Sequence, residues 1–155
     1  MIAESLEIRE LRGDDEAAQC AAMMCATEPW LRLGRDYAAC MEVLRRPGRE
    51  TYVAADAQVR GFMIINMQGA FIGYIQTICV AAESRSTGLG RRLIEFAEQR
   101  IYRDTPNVFL CVSSFNPRAR ALYERLGYAV VGELKDYVIE GASEILMRKT
   151  IGPLV

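Results

Sequence analysis

The sequence predicts a single α+β domain spanning residues 1–155, and three observations support that prediction. The length suits one domain with a core large enough to need neither disulfides nor metals. Short β-branched runs joined by turn residues predict hairpins in the middle of the chain. Stretches with apolar residues three and four apart predict helices on either side of them. The predicted order of elements is β-α-α-β-β-β-α-β-α-β-β.

The first third of the chain is predicted to form one strand and two helices. Ser5–Leu11 alternates apolar and charged side chains, which is typical of a half-buried strand. Asp14–Ala26 is predicted as a helix because its acidic first turn matches the positive end of the helix dipole. The segment TEPWLRLG ends this helix and should expose Trp30, the only tryptophan. A second helix follows, and its apolar face is formed by Tyr37, Cys40, Met41 and Leu44.

The middle of the chain is predicted to be rich in strands. The runs TYVAA, VRGFMIINM and FIGYIQTICV form three strands, with turns at Asp56–Gln58 and Gln68–Ala70. Gly61–Ala82 carries no charged residue and is long enough to cross a membrane. Polar residues and glycines interrupt it, so two buried strands explain it better, and no membrane partner is expected.

The remaining elements alternate between helix and strand before two closing strands. Gly88–Tyr102 is predicted as an amphipathic helix, and the run NVFLCVS as a strand. Asn116 and Pro117 suit the N-cap and first position of another helix, which Gly127 should end. The core face of the first of these helices consists of Leu89, Leu93, Phe96, Ala97 and Ile101. The runs YAVVGELKDYVIE and SEILMRKT predict the closing strands.

Composition excludes several classes of function. The chain contains no histidine, which excludes Ser-His-Asp and Cys-His catalysis and most transition-metal sites, and no metal is expected. The net charge of −1 argues against nucleic acid as the main partner. The five cysteines include no CxxC pair and are interpreted as reduced, mostly buried thiols: Cys20, Cys25, Cys40, Cys79 and Cys111. Together with a charged N-terminus that resembles no secretory signal, they predict a cytoplasmic location.

The segment RSTGLG, residues 85–90, lies between a predicted strand and a predicted helix. The first amides of a helix lack intrahelical partners, and the helix start carries about half a positive charge. Glycines let an anion approach the backbone, and Arg85 and Arg91 can add charge-assisted contacts. The pattern is neither a dinucleotide fingerprint nor a P-loop, because the third glycine and the GK[ST] ending are missing. It predicts a phosphate site, with a plain tight connection as the alternative.

Two motifs together resemble those of the GNAT superfamily of N-acetyltransferases. RSTGLG resembles the family's R/Q-x-x-G-x-G/A pyrophosphate loop, and NPRARALYERLGY resembles its N-x-x-A-x-x-L-Y-x-x-x-G-F/Y signature. The residues that match the second motif are Asn116, Ala119, Leu122, Tyr123, Gly127 and Tyr128. The resemblance covers Gly73–Val131 and implies an α/β/α sandwich with a mixed, mostly antiparallel sheet, splayed central strands and about four helices. Within the family, the chain most resembles ribosomal-protein-alanine acetyltransferases.

The resemblance implies acetyl-CoA as the acetyl donor and assigns residues to it. The strand before the glycine turn would offer its backbone to the pantetheine arm through Ile78, Cys79 and Val80. The pyrophosphate would lie on the turn formed by Arg85, Ser86, Thr87, Gly88, Leu89, Gly90 and Arg91. Asn116 would contact the cofactor arm or simply cap its helix. Tyr123 would donate a proton to the departing CoA thiolate, with an aromatic packing role as the alternative.

The sequence does not identify the general base. The strands YIQTICV and VFLCVSS carry no carboxylate, although many family members have a glutamate there. Cys111 occupies one such position, either as a core residue or as an acetyl carrier that lacks an activating histidine. Direct attack by the amine is therefore predicted, with α-amines easier to deprotonate than lysines by about 3 kcal/mol. The remote carboxylates Glu28, Glu50 and Glu144 remain as proton acceptors that act through water.

The acceptor is predicted to be a primary amine, on a small molecule or at a protein N-terminus. The TEPWLRLG loop lies where the family builds the acceptor side of its cleft, which gives Trp30 either a substrate contact or a packing role. Arg32 and Arg35 in this loop would suit an anionic acceptor. Homodimers are common in the family, and a homodimer is a further expectation. The competing hypotheses are a non-catalytic acyl-CoA-binding or regulatory module and a structural partner protein.

Overall fold

The computed structural model describes residues 5–155, which fold into seven strands and four α-helices. The strands are β1 (Glu7–Glu10), β2 (Glu50–Ala55), β3 (Val59–Asn66), β4 (Tyr74–Val80), β5 (Asn107–Ser113), β6 (Ala129–Lys135) and β7 (Ser143–Thr150). The helices are α1 (Gly13–Cys25), α2 (Tyr37–Arg45), α3 (Leu89–Ile101) and α4 (Pro117–Arg125), and a 3-10 turn spans Ala82–Ser84. The predicted order of strands and helices is confirmed. The first four residues of the predicted domain, 1–155, lie outside the described residues.

One sheet contains these strands in the order β1-β2-β3-β4-β5-β7-β6. Every neighbouring pair is antiparallel except β4 and β5, which run parallel. The predicted α+β class, with a mixed and mostly antiparallel sheet between helical layers, is therefore confirmed. The uncharged run Gly61–Ala82 supplies most of β3 and all of β4. Within residues 5–155, no helix combines the length and apolar character that crossing a membrane requires.

Helices cover both faces of the sheet and build two separate cores. Side chains alternate between the two faces of the sheet along β3, so the successive residues Phe62 and Met63 belong to different cores. The core under α3 and α4 includes Met63, Ile65, Leu93, Ile94, Ile101 and Met147. The core under α1 and α2 includes Cys20, Met24, Cys40, Phe62, Ile64 and Cys79. All five cysteines are free thiols, as predicted, and three of them lie in this second core.

A β-bulge in β4 opens the centre of the sheet. Ile64 of β3 pairs with Thr77, whereas the next residue, Ile65, pairs with Ile75, so Gln76 is an extra residue on β4. A bulge bends its strand and increases the local twist. β4 and β5 accordingly keep only two residue pairs, at the start of β4, and separate beyond the bulge. The splayed central strands that the family resemblance implied are present.

Three local predictions need correction. The strand predicted over YAVVGELKDYVIE ends at Lys135 rather than at Glu140, because Asp136 has a left-handed φ of 51° and begins the β6–β7 loop. β4 begins at Tyr74 rather than at Phe71, because Gly73 has a left-handed φ of 87°, which an extended strand does not allow. In the β3–β4 loop, the Phe71 ring packs against the Phe109 ring with centroids 5.0 Å apart, which holds it outside the ladder. Trp30 is half-buried rather than exposed, because it packs against the core under α1 and α2.

Candidate active site

The separation of β4 and β5 opens a cleft through the centre of the sheet. A cavity of about 430 Å³ occupies it. Both strands line this cavity, together with α4, the α1–α2 loop and the β6–β7 loop. Because the parted strands no longer bond to each other there, the cleft offers free backbone groups as well as side chains.

One edge of β4 faces this cleft with free backbone groups. The Ala81 N–H donates to the Arg60 carbonyl of β3 at 2.8 Å. Since backbone groups alternate between the two edges of a strand, the amides of Ile78 and Val80 point the other way, into the gap left by β5. Cys79, between them, directs its backbone towards β3, and its side chain is buried in the core under α1 and α2. The structure therefore brings Ile78 to the cleft and Val80 to a second cavity described below, whereas Cys79 lines neither.

A second cavity, of about 440 Å³, lies against the N-terminus of α3 and is called the basic pocket below. Gly88 caps the helix with a left-handed backbone, φ 85°, and its carbonyl accepts a hydrogen bond from the Arg92 N–H at 3.1 Å. The amides of Leu89, Gly90 and Arg91 come before this bond and have no helical acceptor. A Cβ added at Gly88 would meet no atom of residues 5–155 within 4 Å, so the backbone is open to the cavity.

Charge makes the basic pocket a suitable anion site. It is lined by four arginines, Arg85, Arg91, Arg118 and Arg125, and by no carboxylate among the described residues. The Arg118 guanidinium donates to the Ser86 hydroxyl at 2.8 Å, which ties the start of α4 to the glycine turn. Thr87 is the one predicted turn residue that does not line the pocket, and its hydroxyl donates to the Ser84 carbonyl. Arginines around free helix amides can bind a diphosphate.

Asn116 lies where the cleft and the basic pocket meet, and it lines both. Its Oδ1 accepts a hydrogen bond from the Ala119 N–H at 3.2 Å, which confirms the predicted N-cap of α4. Its Nδ2 group has no partner within residues 5–155 and can donate to a ligand at this junction. One side chain can therefore serve both roles that the sequence left open.

Replacing Asn116 with aspartate separates these two roles. Aspartate caps a helix as well as asparagine does, so the melting temperature should stay within about 2 °C of the wild type. The lost donor and the new negative charge should raise the Kd for CoA about tenfold. Calorimetric titration with CoA and thermal unfolding measure the two effects. Unchanged CoA affinity in Asn116→Asp would restrict Asn116 to capping.

Tyr123 extends from α4 into the cleft, on the face of the sheet that α3 and α4 cover. Burial raises the pKa of its phenol to about 12, so the hydroxyl keeps its proton at neutral pH. The ring meets Tyr128 edge to face, with centroids 6.1 Å apart. Its Oη makes no hydrogen bond within the part of the chain that the structure describes. Packing holds the ring, and the hydroxyl is left available to a ligand.

Two loops, α1–α2 and β6–β7, form the mouth of the cleft on the other face of the sheet. Trp30 and Arg35 come from the first loop and Tyr137 from the second. Arg32, in contrast, lies over the Phe115 ring at 4.1 Å from its centroid and does not line this cavity. The mouth therefore combines aromatic rings with a cation and suits a small organic ligand.

Two of the three remote carboxylates lie in the cleft. Glu28 of the α1–α2 loop and Glu144 of β7 both line the cavity. Glu50 does not, because the Arg100 guanidinium donates to its two oxygens at 2.7 Å and the Tyr52 hydroxyl donates to one of them. Glu50 fastens α3 to β2 and is not available as a proton acceptor in the cleft.

Cys111 is half-buried on the wall of the cleft, beside Tyr74. Burial raises the pKa of the Cys111 thiol. The thiol therefore stays neutral at pH 7 and is a poor nucleophile. Burial and the neighbouring Cys111 likewise raise the pKa of Tyr74. This environment does not support Cys111 as an acetyl carrier.

Several residues of the site were missed by sequence reasoning. Arg118 and Arg125 come from α4 rather than from the glycine turn. They are seven residues apart, and this spacing is the one sequence signal that places both on the same face of the helix. Tyr74 and Tyr137 reach the cleft from separate parts of the chain. No local pattern connects these two tyrosines, because the sheet topology alone brings them together.

The chain is similar in sequence to known acetyltransferases. The pattern of the family described as "Acetyltransferase (GNAT) family" matches residues 15–128. A protein named 5-NmdU N-acetyltransferase, from Pseudomonas phage PaMx11, is 40% identical over 81 residues, which is 50% of this chain and 55% of that protein. The chain thus matches about half the length of this curated relative.

Solved structures share the whole fold. A protein of the GNAT family from Desulfovibrio desulfuricans has a TM-score of 0.78 at 19% identity, over 96% of this chain and 100% of that one. An aminoglycoside 6'-N-acetyltransferase complexed with coenzyme A has a TM-score of 0.75 at 22% identity, over 95% and 98%. At these identities the likeness shows the fold alone.

Proposed function

The chain belongs to the acetyltransferase (GNAT) family, and from that premise we propose that it transfers an acetyl group from acetyl-CoA to a primary amine. One observation carries the proposal: the basic pocket and the cleft that holds Tyr123 are adjacent and share Asn116 and Ala119 in their walls. The amine attacks the thioester directly while both substrates are bound, because Cys111 is not an activated nucleophile.

These two adjacent cavities fit acetyl-CoA as the donor. The diphosphate lies on the free amides at the start of α3, among the arginines of the basic pocket. The amide-rich pantetheine arm pairs with the free edge of β4 at Ile78 and Val80, as a peptide strand would. Tyr123 then lies at the thioester end, where its hydroxyl donates to the sulfur as the thiolate leaves. The solved structure that contains coenzyme A supports this choice of donor.

The acceptor is a primary amine on a small molecule or at a peptide N-terminus. The relative named 5-NmdU N-acetyltransferase makes 5-NmdU a candidate acceptor. A peptide N-terminus is the acceptor that the sequence resemblance predicts. The cleft mouth favours an acceptor with a flat or apolar part next to an anionic group. It presents Trp30 and Tyr137 beside Arg35 and Arg46, and neither arginine has an ion-pair partner among the described residues.

Release of free CoA thiol with a panel of amines tests this function. The panel contains 5-NmdU, an aminoglycoside, a peptide with a free N-terminus and the same peptide with only a lysine amine free. We expect thiol release and an acetylated product by mass spectrometry with at least one amine, and faster reaction at the α-amine than at the lysine. CoA binding without release would favour a non-catalytic acyl-CoA-binding or regulatory module. If CoA failed to raise the melting temperature, a structural role would be favoured instead.

Three organisational predictions accompany the proposal: one domain over residues 1–155, a cytoplasmic location and a homodimer. Support for the dimer comes from β6, an edge strand on which Val130, Val131 and Leu134 are exposed. An apolar edge strand tends to pair with another chain. Sedimentation of the purified protein measures the oligomeric state directly.

A further inference from the structure

Glu144 lies on the side of the cleft opposite Tyr123. Val112 and Ile145 pair across β5 and β7, and both side chains belong to the core under α3 and α4. Since side chains alternate along a strand, the next pair, Ser113 and Glu144, points to the other face, towards the α1–α2 loop. Tyr123 packs on the α3–α4 face. The carboxylate and the phenol therefore flank the cleft from its two faces.

A hydrogen bond holds the Glu144 carboxylate in place on the cleft wall. The buried Ser113 hydroxyl donates to its Oε1 at 2.6 Å. Glu144 is half-buried and has no ion-pair partner within residues 5–155. Tyr74 of β4 and Cys111 of β5 line the same cavity as Glu144, and the charge of Glu144 contributes to raising the pKa of both groups. A rigid carboxylate of this kind can hold an amine and take a proton from it.

Glu28 is the competing carboxylate, and its setting is less suitable. It is exposed on the α1–α2 loop, where solvent screens its charge. Its Oε2 accepts a hydrogen bond from the Arg32 N–H at 3.2 Å, which stabilises the loop. Glu144, in contrast, lies on β7, which is hydrogen-bonded to β5 on one side and to β6 on the other.

We propose that Glu144 is the catalytic residue that accepts the proton lost by the attacking amine, an inference that rests on the proposed function. The C–N bond forms and the thioester C–S bond breaks. Before this attack, the ammonium form of the amine gives one proton to the Glu144 carboxylate. During the attack, the sulfur takes one proton from the Tyr123 hydroxyl and the nitrogen loses its second proton to water. Glu144 then releases its proton to water and Tyr123 regains one, so both side chains return to their starting state. Because the two residues lie on opposite faces, the amine approaches from one side and the thiolate leaves towards the other.

Replacing Glu144 with glutamine tests the assignment, because the variant keeps the shape of the side chain and an acceptor for the Ser113 hydroxyl. With the best amine of the panel, kcat/KM at pH 7 should fall about 10²- to 10³-fold, with the Kd for CoA and the melting temperature unchanged. The loss should shrink as the pH rises to about 10, because the amine then deprotonates in solution. In Glu144→Ala, added formate should restore part of the rate by occupying the vacated position.

Glu140→Gln is the matched control, since it removes an exposed carboxylate from the adjoining β6–β7 loop and should leave the rate unchanged. Wild-type rates in Glu144→Gln would overturn the inference and leave the proposed function intact. An equal loss at every pH without rescue by formate would also overturn it, as would a pH-dependent loss confined to Glu28→Gln. If the wild-type protein released no CoA with any amine, the proposed function would fail first and this inference with it.

Discussion

Replacing Tyr123 with phenylalanine is expected to lower kcat about 10²-fold while the Kd for CoA stays unchanged. The variant removes only the Oη and keeps the ring that packs against Tyr128. Because burial raises the pKa of Tyr123 to about 12, the phenol stays protonated and stabilises the thiolate by donating a hydrogen bond as the sulfur leaves. The rate should therefore show no loss from ionisation of Tyr123 up to pH values of about 11. Steady-state kinetics with the best amine of the panel measure both effects.

Tyr102 provides a matched control for this experiment. Its Oη is also without a partner within residues 5–155, but it is buried beside α3 and does not line the cleft or the basic pocket. Tyr102→Phe should leave kcat unchanged and keep or slightly raise the free energy of unfolding, because it deletes a buried unpaired hydroxyl. Wild-type kcat in Tyr123→Phe would make Tyr123 a packing residue and leave water as the proton donor to the sulfur.

Local signals in the sequence are sufficient to predict those helices and strands that begin and end at distinctive residues. α4 starts after the Asn116 cap with Pro117 at its first position, and Gly127 follows its end with a φ of 98°. The strand β5 coincides with the predicted run NVFLCVS. Each of these features depends on residues that are neighbours in the chain, so their pattern alone predicts them.

The cleft could not be predicted in this way, because it depends on pairing between distant segments. The bulge at Gln76 becomes evident only when β4 is aligned with β3. One extra residue reverses the direction of every later side chain in the strand, which is why Cys79 faces the core under α1 and α2 and Ile78 faces the cleft. Glu144 adjoins Ser113 only because β7 inserts between β5 and β6. The sequences of β4 and β5 alone therefore do not reveal the carboxylate that lines the cleft.

Replacing Gly88 with asparagine is expected to raise the Kd for CoA about tenfold to a hundredfold. The φ of 85° at Gly88 lies in the left-handed region, which asparagine tolerates better than most residues do. A Cβ there would meet no atom of the described part of the chain within 4 Å, so the folded protein should lose only about 1 kcal/mol of stability. The new side chain occupies the basic pocket and displaces a phosphate from the free amides of α3. Each charge-assisted hydrogen bond lost costs about 1.5–3 kcal/mol, which sets the expected range.

Gly69→Asn is the matched control, because Gly69 has a φ of 88° and equally open space but lies in the β3–β4 loop, outside both cavities. At a CoA concentration about 100 times the wild-type Kd, binding stabilises the protein by about 2.7 kcal/mol, or about 5–10 °C in melting temperature. A hundredfold weaker Gly88→Asn variant would gain only about 0.4 kcal/mol, whereas Gly69→Asn should keep the full shift. If the two variants shifted equally, the phosphates could not lie on the start of α3, and acetyl-CoA would have to reach Tyr123 from another side of the cleft.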